Sequence, residues 1–359
     1  MRPRIGVIGA GVIGTFHGKA IHHCLKSGLI DGDFVAICDP DPERRESYSR
    51  VAGLALATAD PEELIASPDV NTVYVCTPTA FHKDLALKTL AAGKALFCEK
   101  PLAFDAQDAA AMRDAAKTAG VTHQVGLVMR FSPVINVVRD LIREPEFGRT
   151  MSAVMVDDQF FPIQGHYRST WRGDVSLVGA GTLLEHAIHD IDVLVSYFGR
   201  VRRVHGVTRH FFEKEGVEDL SSAILEFVDG PVVNHVSIWH NLLHRGSSRR
   251  MSVIGENAQL HWEDDDWTGA IRLESNAIGG RRDIPSDEVM SRYVESAGAA
   301  DDPRLRDAVA RHSLEDYTFL KAVSEDRPGF PDFDVALYAH QVVDAIYQSA
   351  REGRPVAMT

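Results

Sequence analysis

Five short apolar runs recur in the first 125 residues, and stretches of helical length separate them. Each run is continuously apolar instead of alternating with polar residues, which is typical of strands buried on both faces. The β-α-β-α order therefore predicts an α/β domain with a doubly wound parallel sheet and helices on both faces. The predicted strands are 4–8, 34–38, 72–76, 95–98 and 122–126, and the predicted helices lie near 12–27, 42–51, 60–66, 80–92 and 105–119.

The pattern changes after residue 125. Alternating apolar residues between 201 and 275 predict antiparallel hairpins. Ser132 and Pro133 suit the N-cap and the first turn of a helix that we expect to reach about residue 143. The other predicted features are a strand near 150–160, one continuous helix over 180–198, a loop over 276–302 and helices at 304–325 and 333–352.

These patterns predict two domains, which agrees with a chain of 359 residues at about 150 residues per domain. The first is expected at 1–125. The second, at 126–359, is expected to be an α+β domain with an open, largely antiparallel sheet. Its last helix is expected to be able to pack back toward the first domain.

Composition narrows the classes of partner. A net charge of −13 argues against nucleic acid, whose phosphates an acidic chain repels. The sequence has no run of 18 apolar residues and no secretory leader pattern, so we expect no membrane partner and a cytoplasmic location. The four cysteines form no CxxC pair and are expected to be reduced thiols.

The first βα turn carries a glycine pattern, G-x-G-x-x-G, at residues 9–14. Gly9 would permit a tight turn, Gly11 would let the backbone approach a pyrophosphate, and Gly14 would permit close packing of helix and strand. The helix N-terminus that follows favours negative charge. The alternative is a tight turn that binds nothing. The strand before it and the helix after it favour a dinucleotide site, and hence a Rossmann domain.

Asp39 ends the second predicted strand, 25 residues after Gly14. A carboxylate there can accept the ribose hydroxyls of NAD and repels the 2′-phosphate of NADP, so we predict NAD. Two alternatives stay open. Asp39 could start the turn that follows, and Arg44 or Arg45 could hold a 2′-phosphate.

Two further segments carry polar side chains suited to catalysis. Lys100 follows the fourth predicted strand, at the edge of the sheet where ligands of open α/β sheets bind. Glu185 and His189 are four residues apart, so on one continuous helix they would share a face, as a general base and its orienting group do. Without further evidence, Lys100 could equally be a solvated lysine. For His189, the residues alone favour a core histidine held by Asp192 or Glu185.

The whole chain resembles the glucose–fructose oxidoreductase/inositol dehydrogenase (Gfo/Idh/MocA) family. The resemblance rests on GAGVIG at 9–14, TPTAFH at 77–82, AAGKALFCEKPLA at 91–103, GAGTLLEHAIHDID at 179–192 and AIYQSAREGRPVAM at 345–358. It implies nicotinamide-dependent redox chemistry at carbinols of sugars, inositols or related polyols. It also implies a cofactor site formed by Gly9, Gly11, Val12, Ile13, Gly14, Asp39, Thr77, Pro78, Thr79, His82, Glu99 and Lys100.

The same resemblance implies residue roles. Lys100 matches the active-site lysine and His189 the catalytic histidine, whereas Glu185 stands where the family usually has aspartate. His189 is expected to take the hydroxyl proton while Lys100 stabilises the oxygen and Glu185 orients His189. The alternatives are an enzyme that retains NAD while it cleaves or epimerises a glycoside, and a nucleotide-dependent sensor without catalysis.

The segment 159–175, which glycines interrupt, mixes aromatic and polar side chains that suit a sugar-like ligand. The alternative is a surface loop in which Trp171 anchors packing. No metal site is expected, because neighbouring Glu185 and His186 would point apart on a helix. A homodimer or homotetramer is expected through the open sheet, by family analogy. The predicted substrate residues are Arg130, Tyr167, Arg168, Trp171 and Arg172.

Overall fold

The computed structural model describes residues 1–165, 167–264, 267 and 269–358. They form two compact units. Met1–Leu127 and Ala299–Leu337 form the first unit, and Val128–Gly298 with the chain from Tyr338 onward forms the second. Residues 299–337, which the sequence pattern placed with the second domain, thus make most of their contacts within the first unit.

The sheet of the first unit has six parallel strands in the order β3-β2-β1-β4-β5-β6. This confirms the predicted doubly wound parallel sheet. The prediction missed β3, because three residues make too short an apolar run to recognise. The strands are β1 Arg4–Ile8, β2 Asp33–Cys38, β3 Leu56–Thr58, β4 Thr72–Val75, β5 Ala95–Cys98 and β6 His123–Val125.

Five helices connect these strands, and aspartates cap three of them. The carboxylates of Asp41, Asp60 and Asp105 each accept N–H bonds from the first turn of the helix they precede, which satisfies donors that lack partners within the helix. The helices are α1 Val12–Lys26, α2 Pro42–Ala52, α3 Pro61–Ala66, α4 His82–Ala91 and α5 Ala106–Ala119.

The helices of the second unit differ from the prediction at one important place. The predicted continuous helix over 180–198 is wrong, because α8 ends at Glu185 and α9 begins at Ile188. At the break the Ala187 N–H bonds to the Thr182 carbonyl, five residues back. The helices are α6 Pro133–Leu141, α7 Val175–Val178, α8 Thr182–Glu185, α9 Ile188–Phe198 and α10 Ser286–Ser296.

The sheet of the second unit has the order β14-β13-β12-β11-β7-β10-β9-β8-β15 within the described residues. All of its pairings there are antiparallel except β7 with β10, which confirms an open, largely antiparallel sheet. The strands are β7 Thr150–Phe160, β8 Val201–Arg209, β9 Leu220–Phe227, β10 Val232–His240, β11 Ser248–Gly255, β12 Ala258–Asp264, β13 Ile271–Ser275, β14 Gly280–Ile284 and β15 Val356–Ala357.

The predicted loop over 276–302 is also wrong, since it contains β14 and α10. Strand β14 pairs with β13, and its polar, exposed side chains give no apolar alternation that a sequence reading could use. The last helices are α11 Pro303–Ala310, α12 Leu314–Glu325 and α13 Phe333–Glu352. Among the described residues, none of the helices combines the length and the apolar character that crossing a membrane requires.

Two apolar cores cover the two faces of the parallel sheet. On one face, residues of α1 and α12 such as Ile21 and Phe319 pack against Tyr74 and Phe97. On the other, residues of α3, α4 and α5 and the start of α13 pack against alternating residues of the same strands. Helix α12 thus belongs to the first unit because its buried residues Phe319, Leu320 and Val323 form part of one of its cores.

Candidate active site

Two glycines of the turn after β1 are required for steric reasons that do not involve a ligand. Gly9 has φ +104°, and a Cβ there would lie 2.5 Å from the Cys76 carbonyl oxygen. A Cβ at Gly14 would collide with the Gly9 carbonyl, which explains the close packing of α1 on the turn. These two positions require glycine for the fold itself.

Gly11 is different, because an added Cβ would have no described protein atom within 4 Å. Helix α1 begins at the next residue, Val12, without a side-chain cap and without an acidic residue in its first turn. Its first N–H groups and its dipole therefore suit an anion, and glycine at position 11 lets that anion come close. The turn fits the pyrophosphate of a dinucleotide. Val12 is exposed and Ile13 half-buried on this first turn.

Asp39 follows β2 and is buried. Its Oδ2 accepts the Ala10 N–H at 2.7 Å, and its Oδ1 accepts the Asp41 N–H at 2.9 Å. The carboxylate thus holds the glycine turn and also starts the next turn. Arg45 Nη1 donates to the Asp39 carbonyl oxygen at 2.6 Å. A carboxylate has more acceptor positions than these two bonds use, so the predicted ribose contact stays a prediction.

The TPTAFH segment follows β4. Thr77 and Pro78 are half-buried, and Thr79 is buried at the start of a 3₁₀ turn. The ring nitrogens of His82 lie 2.9 Å from the Thr77 and Pro101 carbonyl oxygens. His82 therefore ties together the loops that follow β4 and β5, and its predicted contact with the cofactor stays a prediction.

Glu99 and Lys100 follow β5. Glu99 Oε2 accepts the Lys100 N–H at 3.1 Å, and Glu99 Oε1 lies 2.9 Å from His17 Nε2. Burial alone would raise the pKa of Glu99, but the hydrogen bond and charge of His17 outweigh it and lower that pKa. A Cβ at Gly126 would collide with Glu99 Oε1, so Gly126 makes room for this carboxylate.

Sequence reasoning missed His17 and its second partner, Asp316. His17 Nδ1 lies 2.8 Å from Asp316 Oδ1, and both side chains are buried. The two residues are 299 positions apart, so no local pattern signals the pair.

In the second unit, several predicted site residues come together. Arg172 Nε lies 3.5 Å from Glu185 Oε2, and Glu185 is buried. The Arg172 guanidinium lies 4.7 Å from the centre of the Trp171 ring and 6.0 Å from that of Tyr167. The structure thus places Arg172 between a carboxylate and two aromatic faces. Arg168 is exposed, with φ 45°.

The break between α8 and α9 changes the basis of the predicted Glu185–His189 pair. The two residues do not lie on one continuous helix, so their spacing no longer implies a shared face. Glu185 contacts Arg172, whereas His186 Nε2 lies 2.9 Å from Asp157 Oδ2. At the break, the consecutive residues Glu185 and His186 therefore contact different partners. His189 is buried in the first turn of α9.

A buried ionic network that sequence reasoning missed anchors α9 to the sheet. Asp190 accepts a bond from Arg249 Nε at 2.8 Å and lies 3.0 Å from His235 Nε2. Burial alone would raise the pKa of Asp190, but Arg249 and His235 outweigh it and lower that pKa. Asp190 is the neighbour of His189 in sequence, so the network fixes the turn that carries His189.

Arg130 and Asp192 form a bidentate ion pair with two bonds of 2.6 Å. Asp192 is buried, and burial raises its pKa although Arg130 partly offsets the effect. Arg130 donates to both carboxylate oxygens of Asp192, which counts against the alternative that Asp192 holds His189. The predicted substrate contact of Arg130 stays a prediction.

Comparison with known proteins adds the family. A family model described as an oxidoreductase family with an NAD-binding Rossmann fold matches residues 3–127, and a model of the GFO/IDH/MocA C-terminal domain matches residues 135–261. The chain is 30% identical over 285 residues to the myo-inositol 2-dehydrogenase of Thermotoga maritima, which covers 78% of this chain and 80% of that protein. It is 24% identical over 364 residues to the inositol 2-dehydrogenase of Rhizobium meliloti, which covers 100% of both.

Among solved structures, a levoglucosan dehydrogenase in complex with NADH has a TM-score of 0.85 and 22% identity, with 100% of both chains covered. At this identity the likeness shows the fold. The family description confirms NAD as the cofactor, in agreement with the open glycine turn at Gly11. The resemblance found in the sequence motifs is likewise confirmed: this chain belongs to the Gfo/Idh/MocA family of oxidoreductases.

Proposed function

We propose that this oxidoreductase is an NAD-dependent dehydrogenase that oxidises a secondary carbinol of a sugar, an inositol or a related polyol. The observation that carries the proposal is the relationship to the Thermotoga myo-inositol 2-dehydrogenase over 80% of that protein. The grouping of Tyr167, Trp171, Arg172 and Glu185 supports a polyhydroxylated substrate. Aromatic faces and charged hydrogen-bonding groups suit apolar C–H faces and hydroxyl edges, respectively.

When bound, NAD accepts a hydride ion at its nicotinamide ring. The chain's own residues then handle the hydroxyl proton and the charge on oxygen. His189 accepts the proton as the C–H bond breaks, so that the carbinol becomes a carbonyl and the imidazole becomes an imidazolium ion. Lys100 donates a hydrogen bond to the oxygen and stabilises its developing negative charge. Both roles follow from the family motifs that these residues match.

Glu185 is proposed to orient His189, as the aspartate usual at this position does. Its contact with Arg172 extends that proposal, because a carboxylate fixed by a guanidinium holds one orientation better than a lone carboxylate. Of the predicted substrate residues, Arg172 and Trp171 are the ones we place at the substrate, and Arg172 would connect it to Glu185.

The test is NADH formation by the pure protein with NAD across inositols, aldoses, sugar acids and glycosides, followed at the NADH absorbance. A substrate that yields stoichiometric NADH supports the proposal. Glycoside cleavage or epimerisation without net NADH would favour the enzyme that retains its cofactor. Intact NADH binding with no turnover of any kind would favour the sensor.

Lys100→Met tests the role of the ammonium group. Turnover should fall by several orders of magnitude while NADH affinity changes little, because the charge acts on the reacting oxygen. Lys88→Met is the matched control, since Lys88 pairs with Glu62 and Asp84 on an exposed helix surface. Activity retained in Lys100→Met would refute the assignment.

We also propose that a second copy of the chain covers the open face of the sheet. The exposed large apolar residues on this face lie on five adjacent strands, which is unusual for a surface left to water. Strand register and alternation place them on one side, and each is 38–45% exposed; they are Val154, Val207, Ile224, Val232 and Ile254. The cytoplasm stays our prediction for its location, and the four cysteines are free thiols.

A further inference from the structure

Three side chains from separate elements of the first unit form a line that the proposed mechanism does not use. His17 lies on α1, Glu99 follows β5, and Asp316 lies on α12. His17 is central, with Nε2 at 2.9 Å from Glu99 Oε1 and Nδ1 at 2.8 Å from Asp316 Oδ1. The side chains are 2%, 12% and 0% exposed, in that order, so Glu99 is the end of the line nearest to solvent.

The line is a carboxylate–imidazolium–carboxylate arrangement. A neutral imidazole has one N–H donor, so while both carboxyl groups are ionised the two short contacts are both hydrogen bonds only if His17 is protonated. Burial raises the pKa of Asp316, and a proton on this carboxyl group would let it donate to His17 instead, so either arrangement keeps the line connected. Burial alone would lower the pKa of His17, but Asp316 and Glu99 outweigh it and raise that pKa well above its usual value. Tyr74 and Phe97 pack against the His17 ring and exclude water from it.

Other titratable groups near the line do not replace His17 as a partner of Glu99. Glu315 is the neighbour of Asp316 on α12, and burial raises its pKa well above the usual value, which favours its neutral form. Burial likewise raises the pKa of the Cys76 and Cys98 thiols. His17 is the group that both hydrogen-bonds to Glu99 and lowers its pKa, and Lys100 and His82 add weaker electrostatic effects of the same sign.

The outer end of the line leads to Lys100. Glu99 uses Oε1 for His17 and Oε2 for the Lys100 N–H, so the carboxylate cannot rotate without breaking one of the two bonds. Gly126 leaves room for this carboxylate, because any side chain at position 126 would collide with Glu99 Oε1. The backbone from which the Lys100 side chain leaves is thereby connected to α12 through three hydrogen bonds.

We propose that His17 is a positioning residue for the reaction. Held between Asp316 and Glu99, it fixes the Glu99 carboxylate and, through the bond to the Lys100 N–H, the direction of the Lys100 side chain. The inference rests on the role proposed for Lys100 above.

The decisive variant is His17→Gln, which keeps a polar side chain of similar length but removes the charge and the donor at one end. Turnover should fall between about tenfold and about 100-fold, as expected for loss of a charge-assisted hydrogen bond. The KM of the substrate and the Kd of NADH should stay within about threefold of wild type, because the His17 side chain is 2% exposed and is bonded to protein side chains. Asp316→Asn keeps the shape of the line and should cause a smaller loss of the same kind.

A second readout does not need a substrate. Reductive methylation with ¹³C-formaldehyde labels lysine amines, and the Lys100 signal is assigned by its absence from Lys100→Met. We expect this signal to shift in His17→Gln and in Asp316→Asn. Phe319→Leu is the control. Phe319 packs against Tyr74 and Phe97, so its substitution should loosen the same core without changing the three side chains of the line. It should leave both turnover and the Lys100 signal unchanged.

The inference is overturned if His17→Gln retains wild-type turnover, if its Lys100 signal does not move, or if Phe319→Leu reproduces both effects. Should His17→Gln fail to fold, Asp316→Asn decides by the same two readouts. If the wild-type chain oxidises no compound of the panel, the proposed function fails, and the Lys100 signal alone then decides the role of His17.

Discussion

Gly11→Ala should separate cofactor binding from folding. Gly11 has φ −71° and ψ −165°, which any residue adopts, and its new Cβ would meet no described atom within 4 Å. Reduced freedom of the unfolded chain would stabilise the variant by about 0.4–1 kcal/mol. The poorer N-cap would offset this by about 0.5–1 kcal/mol. The unfolding free energy should therefore change by less than about 1 kcal/mol.

Binding should respond much more strongly. The added methyl would stand where the backbone N–H groups must approach the pyrophosphate, and each charged hydrogen bond lost is worth about 1.5–3 kcal/mol. The Kd of NADH should then rise at least about tenfold. Fluorescence titration with NADH measures the Kd, and thermal unfolding followed by circular dichroism without NADH measures the stability.

Gly14→Ala is the matched control. The new Cβ would lie much closer to the Gly9 carbonyl oxygen than the 3.0 Å below which real Cβ contacts essentially never fall. Helix α1 must therefore shift. Such a shift costs about 1–3 kcal/mol, and the melting temperature should fall by about 2–4 °C for each kcal/mol. The reasoning is refuted if Gly11→Ala binds NADH like the wild type, or if it melts as early as Gly14→Ala.

Two further predictions concern the second unit. Arg130→Met leaves the Asp192 carboxylate buried without its guanidinium and should cost about 3–5 kcal/mol of unfolding free energy at neutral pH. Because burial raises the folded-state pKa of Asp192, this penalty should shrink as the pH falls through that pKa; equal losses in denaturant titrations at pH 7 and pH 5 would contradict it. Val154→Lys should lower the oligomer mass measured by light scattering, whereas Ile278→Lys, in an exposed hairpin turn, should not. An unchanged mass in Val154→Lys would exclude this face as the interface.

Apart from β3, the parallel sheet of the first unit was predictable because its signals are local. Strands buried on both faces appear as continuous apolar runs, and aspartates such as Asp41, Asp60 and Asp105 mark where helices begin. Strand β14 lacked such a signal, since its exposed side chains are polar and only pairing with β13 makes it a strand. Local pattern thus predicts elements that bury their own side chains and misses those that depend on a partner.

The same distinction applies to the candidate site. The glycine turn was predictable because its glycine spacing lies within one βα unit, although the Cys76 carbonyl that crowds Gly9 follows β4. The helix break after Glu185 was not predictable. There Glu185 contacts Arg172 and His186 contacts Asp157, and both partners come from other elements. His17 and Asp316 are 299 residues apart, and Asp190 is 59 residues from Arg249. Motifs predicted the residues that we expect to face ligands, but the partners that hold them became visible only in three dimensions.

Asp39 combines both kinds of role, and its substitution must be judged accordingly. Its carboxylate accepts N–H bonds from Ala10 and Asp41, so removal of the side chain would disturb the glycine turn as well as any ribose contact. Asp39→Asn keeps one acceptor oxygen and loses the charge that repels a 2′-phosphate.

The ratio of NADPH to NADH affinity is therefore the informative quantity, since damage to the turn weakens both ligands alike. We expect wild type to bind NADH more tightly, and Asp39→Asn to shift the ratio toward NADPH by about tenfold or more, as the loss of one close charge repulsion predicts. Arg45 Nη1 lies 2.6 Å from the Asp39 carbonyl oxygen, and we expect this guanidinium to contact the 2′-phosphate of NADPH. Arg45→Met in the Asp39→Asn background should then reverse the gain. An unchanged ratio in Asp39→Asn would leave the carboxylate with its structural role alone.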